Sequence, residues 1–160
     1  MKLVINMSKI TLEKINYEEE NKIVDLIYKD PTLKETFSNH KNITSRILNS
    51  IYSAFIKLEN ETIGFIMIVE NNKTNTNELD IVILEKYTNN GYGTLALKEL
   101  KNIILLNKIE IEVQVEKSNI CAIKSILNNG FILIKEDKLY YYYSLSEKDK
   151  FSIKTLNLTK

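Results

Sequence analysis

With 160 residues, 44% hydrophobic and 27% charged, the chain has the composition of a single soluble domain long enough to bury a real core. A formal net charge of +1 excludes a global field that would draw it to nucleic acid or an anionic membrane, so any anionic ligand has to be captured locally. The lone cysteine and lone histidine, Cys121 and His40, exclude an internal disulfide framework and a histidine-rich metal site, and no apolar run approaches the roughly 18 residues of a spanning helix.

Residues 1–5 are too short for a secretory leader, so the chain reads as cytoplasmic, with Met7 an alternative start. Residues 9–15 alternate as a first strand. Residues 17–28 then place Ile23, Leu26 and Ile27 at helical spacing behind an acidic first turn, Glu18 to Glu20, which suits the helix dipole. Asp30-Pro31 ends that helix, because a residue before proline avoids the α region. A second amphipathic segment over 33–50 carries Phe37, Ile43, Ile47 and Leu48. A hairpin follows: 52–58, a turn at Glu59-Asn60-Glu61, then 62–70 with Gly64 inside. Residues 71–77 read as a polar loop.

An apolar strand over 79–84 crosses a polar turn, 85–90, to Gly91-Tyr92-Gly93-Thr94 and a helix over 95–106 whose Leu and Ile are core packing. Residues 109–116 alternate cleanly as a strand. Ser118-Asn119 caps a helix over 120–129, which Gly130 stops; Cys121 inside it reads as a small packing residue. Strands at 131–135 and 139–145 form a last hairpin, and 146–160 is an edge strand or a tail. The order β, α, α, β, β, β, α, β, α, β, β contains one right-handed β-α-β crossover between antiparallel hairpins. It predicts one domain of the α/β (α+β) class, a mixed, largely antiparallel sheet flanked by helices.

The stretch from 78 to 106 is the chemical focus. A strand feeding a glycine-containing turn at a helix start makes an anion site, because the first helical N–H groups lack intrahelical partners and the dipole favours negative charge. Glycine lets the backbone approach a phosphate and take positive φ.

Three motifs in register sharpen this. Thr88-Asn89-Asn90-Gly91-Tyr92-Gly93 resembles the Arg/Gln-x-x-Gly-x-Gly/Ala pyrophosphate motif of the GNAT superfamily of acyl-CoA N-acyltransferases. Asn119-Ile120-Cys121-Ala122 resembles its downstream Asn-x-x-Ala/Ser signature, and Asn128-Asn129-Gly130-Phe131 its Gly-Phe strand start. The resemblance implies a splayed sheet holding acetyl-CoA, without a metal, between the strand ending near Leu84 and the one ending near Glu116. Pantetheine would pair with the main chain of Ile83, Leu84 and Glu85, and Asn119 would bond its arm. The pyrophosphate would take amides from Asn89, Asn90, Gly91, Tyr92, Gly93 and Thr94, with the Thr88 hydroxyl partly replacing the usual Arg or Gln. A second departure is Ile126, where many members place a tyrosine that protonates the departing thiolate. The subgroup resembling ribosomal-protein alanine N-acetyltransferases also has an apolar residue there.

The candidate general bases are Glu78 and Asp80, two residues apart on one strand face. The plainer alternative is that Glu78 marks a strand start and Asp80 pairs with a lysine. Tyr140-Tyr141-Tyr142-Tyr143 sends two rings to each sheet face, and Tyr142 is the candidate phenol for the acyl site; aromatic preference for strands is the plainer account. The function implied is acetyl transfer to a primary amine, of a protein N-terminus or a small molecule, in a protein with no membrane or nucleic-acid partner and a possible homodimer. The alternative is a CoA-binding regulatory or interaction module with little catalysis.

Overall fold

A computed structural model of the chain describes residues 9–38, 46, 47 and 49–145. The elements are β1 (Ile10–Lys14), α1 (Glu20–Lys29), α2 (Pro31–Ser38), β2 (Ser50–Leu58), β3 (Glu61–Asn71), β4 (Thr76–Ile83), α3 (Tyr92–Leu106), β5 (Ile111–Glu116), α4 (Ile120–Asn128), β6 (Ile132–Glu136) and β7 (Tyr140–Leu145). Among the described residues, seven strands join one sheet in the order β1-β2-β3-β4-β5-β7-β6. Only β4 and β5 pair in parallel, through the helical crossover; every other neighbour is antiparallel. Among the described residues the predicted order of elements and the sheet class are both found.

Two predicted segments differ. The helix expected over 33–50 begins earlier, at Pro31, and Ser50 already belongs to β2. Its early start follows from Asp30, whose carboxylate caps it, with proline at the first helical position where no N–H is required. His40 and Ile43 lie outside the described residues, as does the 146–160 tail. The expected loop over 71–77 shrinks to a turn over 72–75, because Asn71 and Thr76 still pair across the hairpin. Asn71 Oδ1 accepts the Lys73 N–H at 3.0 Å, and Asn75 supplies the positive φ of 52°.

Each face of the sheet carries its own core. One holds Ile66, Ile68 and Leu79 against Ala96, Leu97, Leu100 and Ile104 of α3 and Ile126 of α4. The other holds Phe55, Phe65, Met67 and Val69 against Ile23 and Ile27 of α1 and Leu33 of α2. β3 is the buried spine, with Ile63 through Val69 inaccessible on both faces. A bulge at Ile63 breaks its alternation: Gly64 pairs with Ile56 and Thr62 with Lys57, so Ile63 is left over and turns into the first core beside Ile66 and Ile68.

Gly64 sits beside that bulge for a separate reason. A Cβ there would lie 2.0 Å from the Val82 carbonyl oxygen and 3.1 Å from Ile83 Cα. Both contacts are backbone and cannot yield. The missing side chain thus lets the end of β4 lean onto β3. Gly64→Ala is expected to cost about 3 kcal/mol in denaturant unfolding, since strands rather than a side chain must move apart; a loss under about 1 kcal/mol would mean β4 is free to shift.

Candidate active site

On the other side of β4 the sheet is parted. The parallel ladder between β4 and β5 is limited to one bridge, Glu78 with Glu112, near the start of both strands. Toward their carboxyl ends the two strands are not paired. Antiparallel alternation decides which main-chain groups face that opening. The Leu84 N–H donates to the Ile63 carbonyl at 2.8 Å, so Leu84 and Val82 turn toward β3 and Ile81 and Ile83 toward the opening. Glu85 follows Ile83 in this alternation, but its N–H donates to Asp30 Oδ2 at 2.8 Å. Of the three residues expected to pair with pantetheine, Ile83 presents its main chain to the cleft without an internal commitment of this kind.

The glycine turn is built to leave its amides outward. A short 3-10 helix, Glu85–Tyr87, leads out of β4, and Thr88 closes it by donating both its N–H, at 3.1 Å, and its hydroxyl, at 2.8 Å, to the Glu85 carbonyl. The Thr88 proton is therefore committed to shaping the loop. Asn90 Nδ2 donates to the Thr88 carbonyl at 2.9 Å and does the same kind of work. Asn89 and Gly91 take positive φ, 62° and 77°. Gly91 is the N-cap of α3 and has no side chain to satisfy the helix amides. The first intrahelical bond is Leu95 N–H to Gly91 C=O, so the amides of Tyr92, Gly93 and Thr94 precede the hydrogen-bonded ladder. These are the donors an anion needs.

Behind the turn, α4 braces α3. The hydroxyls of Thr94 and Ser125 are 2.5 Å apart, and the buried Asn129 donates through Nδ2 to the Thr94 carbonyl at 3.3 Å and the Ser125 carbonyl at 2.9 Å. Asn119 caps α4, its Oδ1 accepting the Ala122 N–H at 3.1 Å. Capping uses only the oxygen, and the amide NH2 stays on the exposed side where a ligand carbonyl can take it. Ile126, which stands where the resembled family often has a tyrosine, is buried at 5% exposure in the first core. Cys121 is not the packing residue expected: it is exposed, on the outer face of α4.

The two strand carboxylates lie on the other face, with Val82 and Leu84 of the second core. Asp80 pairs with an arginine rather than a lysine. Arg46, the chain's single arginine, donates to Asp80 Oδ2 through Nε at 3.0 Å and Nη2 at 2.7 Å, and its Nη2 is 3.5 Å from Glu78 Oε2. Burial works against the guanidinium charge, but Asp80 first and then Glu78 outweigh it and raise the Arg46 pKa. Glu78 is otherwise held by Asn71 Nδ2, donating to Oε1 at 2.6 Å. Arg46 thus pairs with both carboxylates, by two hydrogen bonds to Asp80 Oδ2 and by one longer ion pair to Glu78 Oε2.

Tyr141 and Tyr143 pack on the first core, leaving Tyr140 and Tyr142 on the face of the carboxylates. Strand register sets Tyr142 opposite Gln114 of β5. Its hydroxyl donates to Asp137 Oδ2 at 2.8 Å, and that bond, ahead of desolvation, raises its pKa. Lys135 Nζ lies 4.5 Å from the ring centroid.

Three of these residues escape a linear reading of the sequence. Arg46 sits in a segment without a motif; its signal is that it is the chain's single arginine. Asn129 looks like part of a helix stop. Asp30 serves as a helix terminator in the sequence, yet Asp-Pro is equally a start signal, an N-cap before proline.

The comparisons bear on the family and the fold. The Acetyltransferase (GNAT) family profile matches residues 17–131. No curated protein sequence matches the chain significantly. Among solved structures, a spermidine N-acetyltransferase from Vibrio cholerae, described as dodecameric, superposes with a TM-score of 0.62 at 15% identity over 89% of this chain and 96% of its own. RimL, a ribosomal L7/L12 alpha-N-protein acetyltransferase solved with coenzyme A, gives 0.63 at 13% identity over 87% and 94%. The Campylobacter jejuni N-acetyltransferase PseH, solved with acetyl coenzyme A, gives 0.59 at 21% identity over 87% and 99%. At these identities the structural likeness is one of fold; the profile match, which spans most of the chain, carries the assignment. A sheet parted beside one β-α-β crossover, with free helix amides at its mouth, belongs in this chain to a member of the GNAT family of acetyltransferases, which draw their acetyl group from acetyl-CoA.

Proposed function

We propose that the chain acetylates a primary amine, with Glu78 accepting the amine proton through a chain of waters and acetyl-CoA lying between β4 and β5. The observation that carries the assignment of the base is the unequal hold of Arg46, which binds Asp80 Oδ2 by two hydrogen bonds and Glu78 Oε2 by a single, longer ion pair at 3.5 Å. In this reading the pyrophosphate takes the amides of residues 89–94. The main chain of Ile83 pairs with pantetheine and its N–H polarises the thioester carbonyl. Asn119 Nδ2 donates to the pantetheine arm, while its oxygen keeps α4 capped. The thiolate leaves without a tyrosine at position 126, and water supplies its proton.

The names of the similar proteins support the acceptor class. One is named for spermidine and another for a protein N-terminus, and both offer a primary amine. Tyr142 forms a wall of the acceptor face rather than the acid, since its proton is engaged by Asp137. Tyr142→Phe is expected to keep kcat within about twofold of wild type, far less than the ~100-fold that loss of a proton-transfer group produces. The reading puts the enzyme in the cytoplasm, consistent with the exposed free thiol of Cys121.

The deciding experiment is thiol release from acetyl-CoA across polyamines, amino-acid-like amines and peptide N-termini. Turnover on one class names the acceptor. Silence on all of them, with acetyl-CoA bound in calorimetry, would leave a binding module and overturn the proposal.

A further inference from the structure

We infer that Asp30 is a positioning residue for the acyl-CoA site, clamping the exit of the cofactor strand to the start of the acceptor-side helix α2. The inference rests on the acetyl-CoA site just proposed. One carboxylate does two jobs with its two oxygens. Oδ1 accepts the N–H groups of Thr32 and Leu33, at 3.1 and 3.2 Å, and so caps α2. Oδ2 accepts the N–H of Glu85 at 2.8 Å, across 55 residues of sequence. The side chain is buried, at 9% exposure, beside the second core.

Capping alone does not explain the choice of residue. Serine, threonine and asparagine cap helices about as well as aspartate, but each offers one acceptor oxygen to the cap and none to a second, distant amide. Aspartate has two, and its charge sits favourably at a helix N-terminus. The Glu85 peptide is also the pivot of the loop, since its carbonyl holds both donors of Thr88. Fixing its N–H therefore fixes, in sequence, the Glu85–Tyr87 turn, Thr88 and the positive-φ residues beyond. The clamp also withdraws one of the amides of the parted strand from the ligand, which leaves Ile83 to register the pantetheine.

The test separates the cap from the clamp. Asp30→Ser retains an N-cap oxygen but cannot reach Glu85, and Asp30→Asn retains the shape with an amide NH2 in place of one of the two accepting oxygens. Leu33→Ala, which removes a buried side chain of the second core and leaves the Asp30 carboxylate in place, serves as the structural control. Thermal melting, calorimetry with acetyl-CoA and hydrogen exchange at the Glu85 amide are measured on each full-length protein. We expect Asp30→Ser to melt near wild type, lose protection at Glu85 and bind acetyl-CoA about tenfold more weakly, the worth of one charge-assisted hydrogen bond. Asp30→Asn is expected to fall the same way, and it decides the matter if the serine variant fails to fold. Leu33→Ala should lose stability while keeping its affinity. Wild-type affinity in both Asp30 variants, or affinity that tracks melting temperature equally in Leu33→Ala, overturns the clamp alone. A wild type that binds no acetyl-CoA overturns the site itself and the clamp's role with it.

Discussion

Gly93→Asp is expected to abolish acetyl-CoA binding without harming the fold. A Cβ at Gly93 would meet only Ile83 Cγ1, at 3.8 Å, an ordinary van der Waals contact, and Gly93 is not among the positive-φ glycines. The protein itself therefore tolerates a side chain there. What does not tolerate it is an anion on the amides of Tyr92, Gly93 and Thr94. A carboxylate in the first turn of α3 would occupy that space and repel the pyrophosphate, yet the helix dipole would welcome it. The two effects point in opposite directions, so stability and binding separate. The melting temperature should hold or rise slightly, and the dissociation constant for acetyl-CoA should rise at least ~100-fold, close to 3 kcal/mol. Gly93→Ala, which adds a methyl group and no charge, should cost much less. Gly91 is the contrasting case: nothing lies within 4 Å of a Cβ there, but its φ of 77° makes any side chain strain the turn. An unchanged calorimetric titration for Gly93→Asp would remove the anion site from the glycine turn.

That contrast also marks what a linear chain discloses. Periodicity, caps and the glycine turn are local, and they located the strands, the crossover and the helix amides where the structure has them. The three motifs in register named the family. Local patterns are blind to pairings made across the sheet. Nothing adjacent to Asp80 in sequence announces Arg46, and nothing near Asp30 announces Glu85, because each pair is created only when the cores on the two faces close. The same holds for Gly64, whose need for a bare backbone is set by Val82 on the neighbouring strand. Cys121 misled in the opposite direction: residue type suggested burial, whereas its place on the outer face of α4 exposes it.

Glu78→Gln is expected to lower kcat by about 100-fold or more while leaving acetyl-CoA affinity unchanged, the scale of losing a positioned general base. The substitution preserves shape: Gln Oε1 can still accept from Asn71 Nδ2, which donates to Glu78 at 2.6 Å in the wild type. What disappears is the carboxylate charge and its ability to take a proton. Asp80→Asn is the informative partner. Two of the donors of Arg46 converge on Asp80 Oδ2, so this change should loosen Arg46 and cost stability more than rate. The released guanidinium would then turn to Glu78, already 3.5 Å away, and pull it from its task, so a moderate fall in kcat is expected as a secondary effect. The pH profile distinguishes the two. Because the attacking amine must be neutral, the wild-type rate climbs with pH as the acceptor ammonium deprotonates. The Glu78→Gln enzyme, lacking an internal base, should climb more steeply and recover part of its deficit at high pH, where solvent takes the proton. Asp80→Asn should keep the wild-type slope. Equal losses of kcat in the two variants, with the same slope, would return the carboxylates to a purely structural role beside Arg46.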